Sequence, residues 1–110
     1  MAFKLSSEFD NGIGKVILEG ELDGLVAESF RDEVSKLSAQ KLRRLVLDMK
    51  ALDYMSSAGL RVLVFARQKM SGDVDIYLVG ASESVRETIE MTGFHYSVIM
   101  LDEYDPAQLN

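Results

Sequence analysis

The spacing of hydrophobic residues predicts a small α/β domain with a mixed, mostly parallel sheet of four to five strands and three to four helices. Segments with strand-like patterns alternate with segments of helical period in the order β-β-α-β-α-β-α-β, and this alternation implies crossover connections between parallel strands. Asn11-Gly12 between the first two strands predicts an antiparallel hairpin. With 110 residues, 47% of them hydrophobic, the chain suits one domain over residues 1–110.

In the N-terminal half, the hydrophobic period changes from that of strands to that of a helix. Phe3, Leu5 and Phe9 alternate with polar residues, which predicts an edge strand with one exposed face. A turn at residues 10–14 leads into a second strand centred on residues 16–18. The helix predicted over residues 25–37 would bury one face, formed by Leu25, Val26, Phe30, Val34 and Leu37.

Asp23 stands directly before this helix and allows two interpretations. Aspartate is a favoured N-cap, so its carboxylate would accept backbone N–H groups at the helix start. It could equally belong to a binding site, and both interpretations are open at this point.

In the C-terminal half, residues 45–49 form a nearly continuous hydrophobic run, which predicts a central strand covered on both faces. A helix to about Met70 and a strand at residues 76–79 follow. The third helix would bury Val85, Ile89 and Thr92 and stop at Gly93. Residues 98–101 form a last short strand, and Asp105-Pro106 has the pattern of a helix start.

Residues 53–60 link the central strand to the second helix and contain two adjacent serines. Ser56 and Ser57 fall where that helix begins, and small hydroxyl residues are favoured there because their oxygen accepts an unpaired backbone N–H. A phosphate added at a helix N-terminus meets unpaired N–H groups rather than a clash. Gly59 lacks a side chain and would let a partner's backbone approach. The stretch is therefore a good surface for a switchable protein contact.

Charge and composition exclude several classes of function. Twelve basic residues against 18 acidic ones give a net charge of −6, which disfavours direct binding to nucleic acid or to anionic membranes. Without cysteine there is no disulfide or thiolate metal site, and with one histidine and scattered carboxylates we expect no metal. No phosphate-binding glycine motif occurs, so no cofactor is expected. No signal-peptide layout or long apolar run is present, so the cytoplasm is the expected compartment.

Enzymatic activity is not expected either. A serine hydrolase needs a base beside its nucleophile, and Ser57 with His95 is the only pair that the chain offers. The residues around Ser57 do not form the Gly-x-Ser-x-Gly elbow of that chemistry.

Three stretches together match a known family. The chain resembles the STAS family of anti-sigma-factor antagonists over nearly its whole length, and this resemblance implies a STAS-like fold. The stretches are Gly20-Glu21-Leu22-Asp23; Leu45-Val46-Leu47-Asp48 followed by Tyr54-Met55-Ser56-Ser57-Ala58-Gly59-Leu60; and Thr92-Gly93-Phe94 with Leu101-Asp102.

The resemblance implies regulation by partner switching. The unphosphorylated antagonist binds an anti-sigma factor that is also a serine kinase, which releases the sigma factor for transcription. The kinase phosphorylates the loop serine and releases the antagonist, and a metal-dependent serine phosphatase resets it. Aligned on Gly59, the family's phosphoserine is Ser57, with Ser56 as second choice, and Asp23 matches an acidic residue beside it. The implied partner-binding residues are Asp23, Ser56, Ser57, Ala58 and Gly59.

The chain departs from the family pattern at two positions. Ser56 stands where the family commonly has aspartate, and Ala58 stands where it often has serine or threonine. STAS domains also serve as accessory subunits of transporters or as nucleotide-sensing modules without phosphorylation. The missing aspartate leaves this second function open.

Overall fold

The computed structural model describes residues 2–105, and it contains a five-stranded sheet, three α-helices and one 3-10 helix. The predicted fold class is confirmed, with every predicted strand and helix before residue 102 present in order. The elements are β1 (Lys4–Asp10), β2 (Ile13–Leu22), α1 (Ala27–Ser38), β3 (Arg44–Met55), α2 (Ser57–Lys69), β4 (Asp75–Val79), α3 (Glu83–Met91), the 3-10 helix (Phe94–Ser97) and β5 (Ile99–Leu101).

The strands lie side by side in chain order, β1-β2-β3-β4-β5. The first pair is antiparallel and the other three pairs are parallel. One α-helix connects each parallel pair, and crossovers of one hand that advance in one direction place their helices on the same face of the sheet. The main core accordingly contains buried residues of all three α-helices together with one face of the sheet.

The opposite face of the sheet carries a smaller cluster of Val46, Tyr77 and Val79. Tyr104 packs against it, with its ring 5.6 Å from that of Tyr77, and its hydroxyl accepts a hydrogen bond from Arg44 Nη1 at 3.2 Å. This hydrogen bond is the main cause that raises the pKa of Arg44 above its ordinary value. Residues 45–49 of the central strand are therefore covered on both faces, as predicted, by helices on one side and by Tyr104 on the other.

The hairpin turn is as predicted in position but shorter. Asn11 and Gly12 have φ of 52° and 80°, which makes a tight two-residue turn. Gly14, expected within the turn, is instead a residue of β2. Phe9 was expected on the buried face but is 45% exposed, because it lies at the hairpin end of an edge strand with a neighbour on one side only.

Two predictions of buried helix residues are wrong. Leu25 is 91% exposed, because α1 begins at Ala27 and Leu25 lies in the turn before it. Thr92 is exposed as the C-cap of α3, and its hydroxyl donates to the carbonyl of Ile89 at 2.9 Å. Val85 and Ile89 are buried, as predicted.

The chain after α3 differs from the prediction by the 3-10 helix, which Gly93 starts with a φ of 78°. The last strand begins at Ile99 rather than residue 98. Asp105 is not helical, and Pro106 lies outside the described residues. No helix within residues 2–105 is long and apolar enough to cross a membrane.

Candidate functional site

The serine stretch follows β3 and lies at the end of the sheet where the parallel strands β2 and β3 have their carboxyl termini. Leu22 and Met55 are neighbours in the parallel register, and the Ser56 N–H donates to the Leu22 carbonyl at 2.9 Å. Asp23, which follows Leu22, therefore lies beside Ser56. The structure thus brings together the two stretches that carry the polar residues of the predicted site.

The central strand is six residues longer than its hydrophobic run predicts, ending at Met55 rather than at Met49. Most residues of the extension are exposed, so they carry no continuous hydrophobic pattern. Their backbone nevertheless pairs with the end of β2, across register shifts that follow Ile17 and Gly20.

Ser56 and Ser57 have different environments. Ser56 is the N-cap of α2, with extended backbone, and its Oγ accepts the N–H of Gly59 at 3.3 Å. Ser57 is the first residue of the helix and is exposed. Its hydroxyl makes no hydrogen bond with any residue in the range 2–105. Helix capping, which the sequence allowed for both serines, belongs to Ser56.

Gly59 is buried beneath the serines and packs against its own chain. A Cβ there would lie 2.8 Å from Cγ of both Leu22 and Met55, closer than real side chains approach. The prediction that this space admits a partner's backbone is wrong, because the ends of β2 and β3 already fill it. Gly59 lets α2 start directly above these two strands.

Asp23 shapes the turn that precedes α1. Its Oδ1 accepts the N–H groups of Leu25 at 3.0 Å and Val26 at 3.3 Å. The N-cap of α1 is Val26, which makes no side-chain capping bond. Asp23 therefore caps the turn rather than the helix, and Leu25 in this turn is exposed to solvent.

Gly20 supports the same edge of the sheet from within β2. It has a φ of 90°, a conformation that favours glycine, and a side chain there would collide with the carbonyl oxygen of Ala2. In the stretch Gly20-Glu21-Leu22-Asp23, the glycine permits this contact, Leu22 packs under Gly59, and Asp23 holds the turn.

His95 and Ser57 are not brought together. His95 lies in the 3-10 helix just before β5 starts, whereas Ser57 follows the end of the parallel strand β3. The two residues therefore lie at opposite ends of the strands, His95 at the amino end and Ser57 at the carboxyl end. The His95 ring packs on Tyr96, with centroids 4.0 Å apart. Within the described part of the chain, no three His, Asp or Glu side chains are grouped as metal ligands would be.

Comparison with known proteins decides the family. The model of the STAS domain family matches residues 4–106. The chain belongs to the STAS domain family. The resemblance seen in the three sequence stretches is thereby confirmed.

This STAS domain is similar to proteins named as anti-sigma factor antagonists. BtrV of Bordetella bronchiseptica, named as a proposed antagonist, is 36% identical over 92 residues, which cover 83% of this chain and 79% of BtrV. The anti-sigma-F factor antagonist RsfB of Mycobacterium tuberculosis is 25% identical over 83 residues, covering 76% and 68%.

Solved structures of such proteins share the fold. An antagonist from Mycobacterium paratuberculosis superposes with a TM-score of 0.88 at 22% identity, covering 98% of this chain and 92% of that one. Unphosphorylated SpoIIAA superposes with a TM-score of 0.75 at 20% identity, covering 98% and 94%. At these identities the structural likeness is evidence about the fold of the STAS domain.

A groove of about 410 Å³ runs between α1 and α2, and Ala58, the residue after Ser57, is part of its wall. Above it, the Arg31 guanidinium carbon lies 4.3 Å from the centre of the Phe65 ring. We call this groove the α1–α2 groove; its lining residues are Ala27, Glu28, Arg31, Asp32, Ala58, Arg61, Val62 and Phe65.

Two hydrophobic residues at the ends of β2 and β3 are exposed, which the sequence did not predict. Leu25, in the turn after β2, is 91% exposed, and Tyr54, the penultimate residue of β3, is 50% exposed. Hydrophobic periodicity places Leu25 on the buried face of a helix, so only its position beside the polar turn at Asp23 could have identified it as exposed. Arg61 lies one turn after Ser57, and the sequence alone does not distinguish it from other charged residues on the exposed side of a helix.

Proposed function

We propose that this STAS domain is an anti-sigma factor antagonist, and that phosphorylation of Ser57 switches its binding to the anti-sigma factor. The names of BtrV and RsfB support the class of partner. The choice of Ser57 rests on the different environments of the two serines. Ser56 is bound to the helix backbone, whereas Ser57 is exposed and has no bond to lose on modification.

A phosphate on Ser57 is compatible with the fold. Ser57 is the first residue of α2, where the helix dipole is positive and negative charge is tolerated. The phosphate adds a charge of about −1.5 to −2, which a partner in close contact must desolvate or repel. A cost of a few kcal/mol is sufficient, because each ~1.4 kcal/mol changes the affinity tenfold. The partner is then lost although the domain does not refold.

The structure also supplies a reason why Ser56 can replace the family's aspartate. Serine and aspartate are both strong N-caps, and Ser56 performs that role through Gly59 N–H. The change therefore keeps the helix start while removing one charge from the site. It also leaves Ser57 as the more accessible of the two hydroxyls.

The proposed cycle needs two partners and no activity of the domain itself. An anti-sigma factor of the serine kinase type would bind and phosphorylate Ser57, and a metal-dependent serine phosphatase would reset it in the cytoplasm. A precedent for the modification is SpoIIAA, which has been solved in unphosphorylated and phosphorylated forms with TM-scores to this chain of 0.75 and 0.70.

The experiment is phosphate mapping after incubation with the partner kinase and ATP. We expect phosphate on Ser57 in the wild type and in Ser56→Ala, and none in Ser57→Ala, which should stay bound to the kinase. Phosphate found on Ser56 alone would overturn the choice of acceptor. An absence of phosphate together with saturable nucleotide binding, or copurification with a transporter, would favour the second function instead.

A further inference from the structure

We propose that Arg61 binds the phosphate on Ser57 and holds it over the end of the α1–α2 groove. The inference deepens the proposed function, since it takes Ser57 as the phosphoacceptor. In this proposal the Arg61 side chain determines where on the surface of this STAS domain the phosphate charge lies.

The geometry of α2 places Arg61 next to Ser57. The two residues are four positions apart on one helix, so they are neighbours on its surface. Long side chains on a helix point back toward its N-terminus, which directs the Arg61 guanidinium toward Ser57. A guanidinium can bind two phosphate oxygens at once.

Arg61 is available for this role. Its side chain is exposed, and it forms no hydrogen bond or ion pair with the other residues in the range 2–105. The second arginine of the α1–α2 groove, Arg31, lies over the Phe65 ring instead. Arg67, further along α2, donates to the carbonyl of Ser71 at 2.7 Å.

Apart from Arg61 and Arg31, the charged residues of the groove and of the adjacent turn are acidic, so a cation near Ser57 would stabilise the phosphate. Asp23 lies on the adjacent turn, and Glu28 and Asp32 line the α1–α2 groove from α1. These carboxylates repel a dianion, while Arg61, on the same helix as Ser57, and Arg31, on α1, attract it. Pairing with Arg61 keeps the phosphate on the α2 side, at the point where Ala58 begins the groove wall. A partner that contacts the groove then meets both the phosphate and a reoriented arginine.

The test is a titration of phosphoserine by phosphorus NMR. Phosphoserine is installed at position 57 during translation, so the result does not depend on any kinase. The second pKa of phosphoserine is about 6. Removing a pairing cation should raise it by about 0.3 pH units or more, from the strength of exposed ion pairs one turn apart. We therefore expect Arg61→Gln to show this increase and Arg61→Lys a smaller one.

Arg67→Gln is the matched control, because it removes the same charge from the same helix at a position about 15 Å along the axis from Ser57. Equal titration curves for Arg61→Gln and Arg67→Gln would overturn the proposal, whether both shift or neither does. A second readout is the Arg61 Nε–H resonance, which should shift on phosphorylation of Ser57; an unchanged resonance would also contradict the pairing. If the partner kinase fails to modify Ser57, the proposed function fails while this titration still decides the role of Arg61.

Discussion

At the scale of single residues, two adjacent serines differ in their bonds. The Ser56 hydroxyl accepts the Gly59 N–H, while the Ser57 hydroxyl faces solvent one residue later. A residue that holds the backbone is a poor position for reversible modification, because the modification would break its bond. The exposed Ser57 can change charge at little cost to the fold.

This division predicts different effects on stability. Ser56→Ala should lower the free energy of unfolding by about 1 kcal/mol, the usual cost of losing an N-cap. Ser57→Ala should change it by less than about 0.5 kcal/mol, as expected for an exposed position. Urea denaturation followed by circular dichroism measures both. Equal losses in the two variants would show that the serines share the capping role.

Gly59 is the second residue with a specific structural task. Gly59→Ala should destabilise the domain by about 1–2 kcal/mol, because the new methyl group would lie 2.8 Å from Leu22 and Met55 atoms and overpacking outweighs the better helix propensity of alanine. The measurement is again urea denaturation. Gly72→Ala is the control, since no atom lies within 4 Å of the added Cβ. A stabilised Gly59→Ala variant would mean that the core under α2 is not tightly packed.

At the scale of elements, the site is built where β2 and β3 end together. Asp23 shapes the turn after β2, and Ser56 starts the helix after β3. Both polar groups satisfy backbone N–H groups and so fix the neighbouring exposed residues, Leu25 and Ser57. An exposed leucine on a rigid turn has the features of an interface anchor.

We therefore expect Leu25→Ala to weaken binding to the anti-sigma factor by about tenfold without changing stability, because its side chain is 91% exposed in the isolated domain. Isothermal titration calorimetry measures the affinity. Met91→Ala is a matched control. Met91 is 87% exposed, but it ends α3 and so lies near the amino ends of the parallel strands, opposite to the serines. Equal effects of the two variants would argue against an interface centred on the serines.

At the scale of the whole molecule, the order of elements follows from hydrophobic period, and this is why the sheet and its helices could be predicted from the sequence. The residues at which the strands and helices end could not be predicted in this way. The extension of β3 to Met55 depends on pairing with β2, which leaves no continuous hydrophobic pattern. Leu25 appeared to belong to the helical face because periodicity does not detect the turn that Asp23 stabilises.

The candidate site was predictable to a similar extent. Its position followed from the serines at a strand-to-helix junction and from the match to the STAS family. The separate tasks of Ser56 and Ser57 required the capping geometry, and the true role of Gly59 required the packing of Leu22 and Met55. The packing around Gly59 depends on Leu22, which is distant in the chain, whereas the capping bond of Ser56 is local and depends on where α2 begins.

We expect a phosphate on Ser57 to weaken partner binding while the fold stays the same. The most direct measurement is the dissociation constant for the anti-sigma factor kinase, determined by calorimetry for unmodified protein and for protein carrying phosphoserine at position 57. We expect at least a tenfold weaker complex for the phosphorylated form, corresponding to about 1.4 kcal/mol or more, with an unchanged circular dichroism spectrum. Equal affinity of the two forms would contradict it.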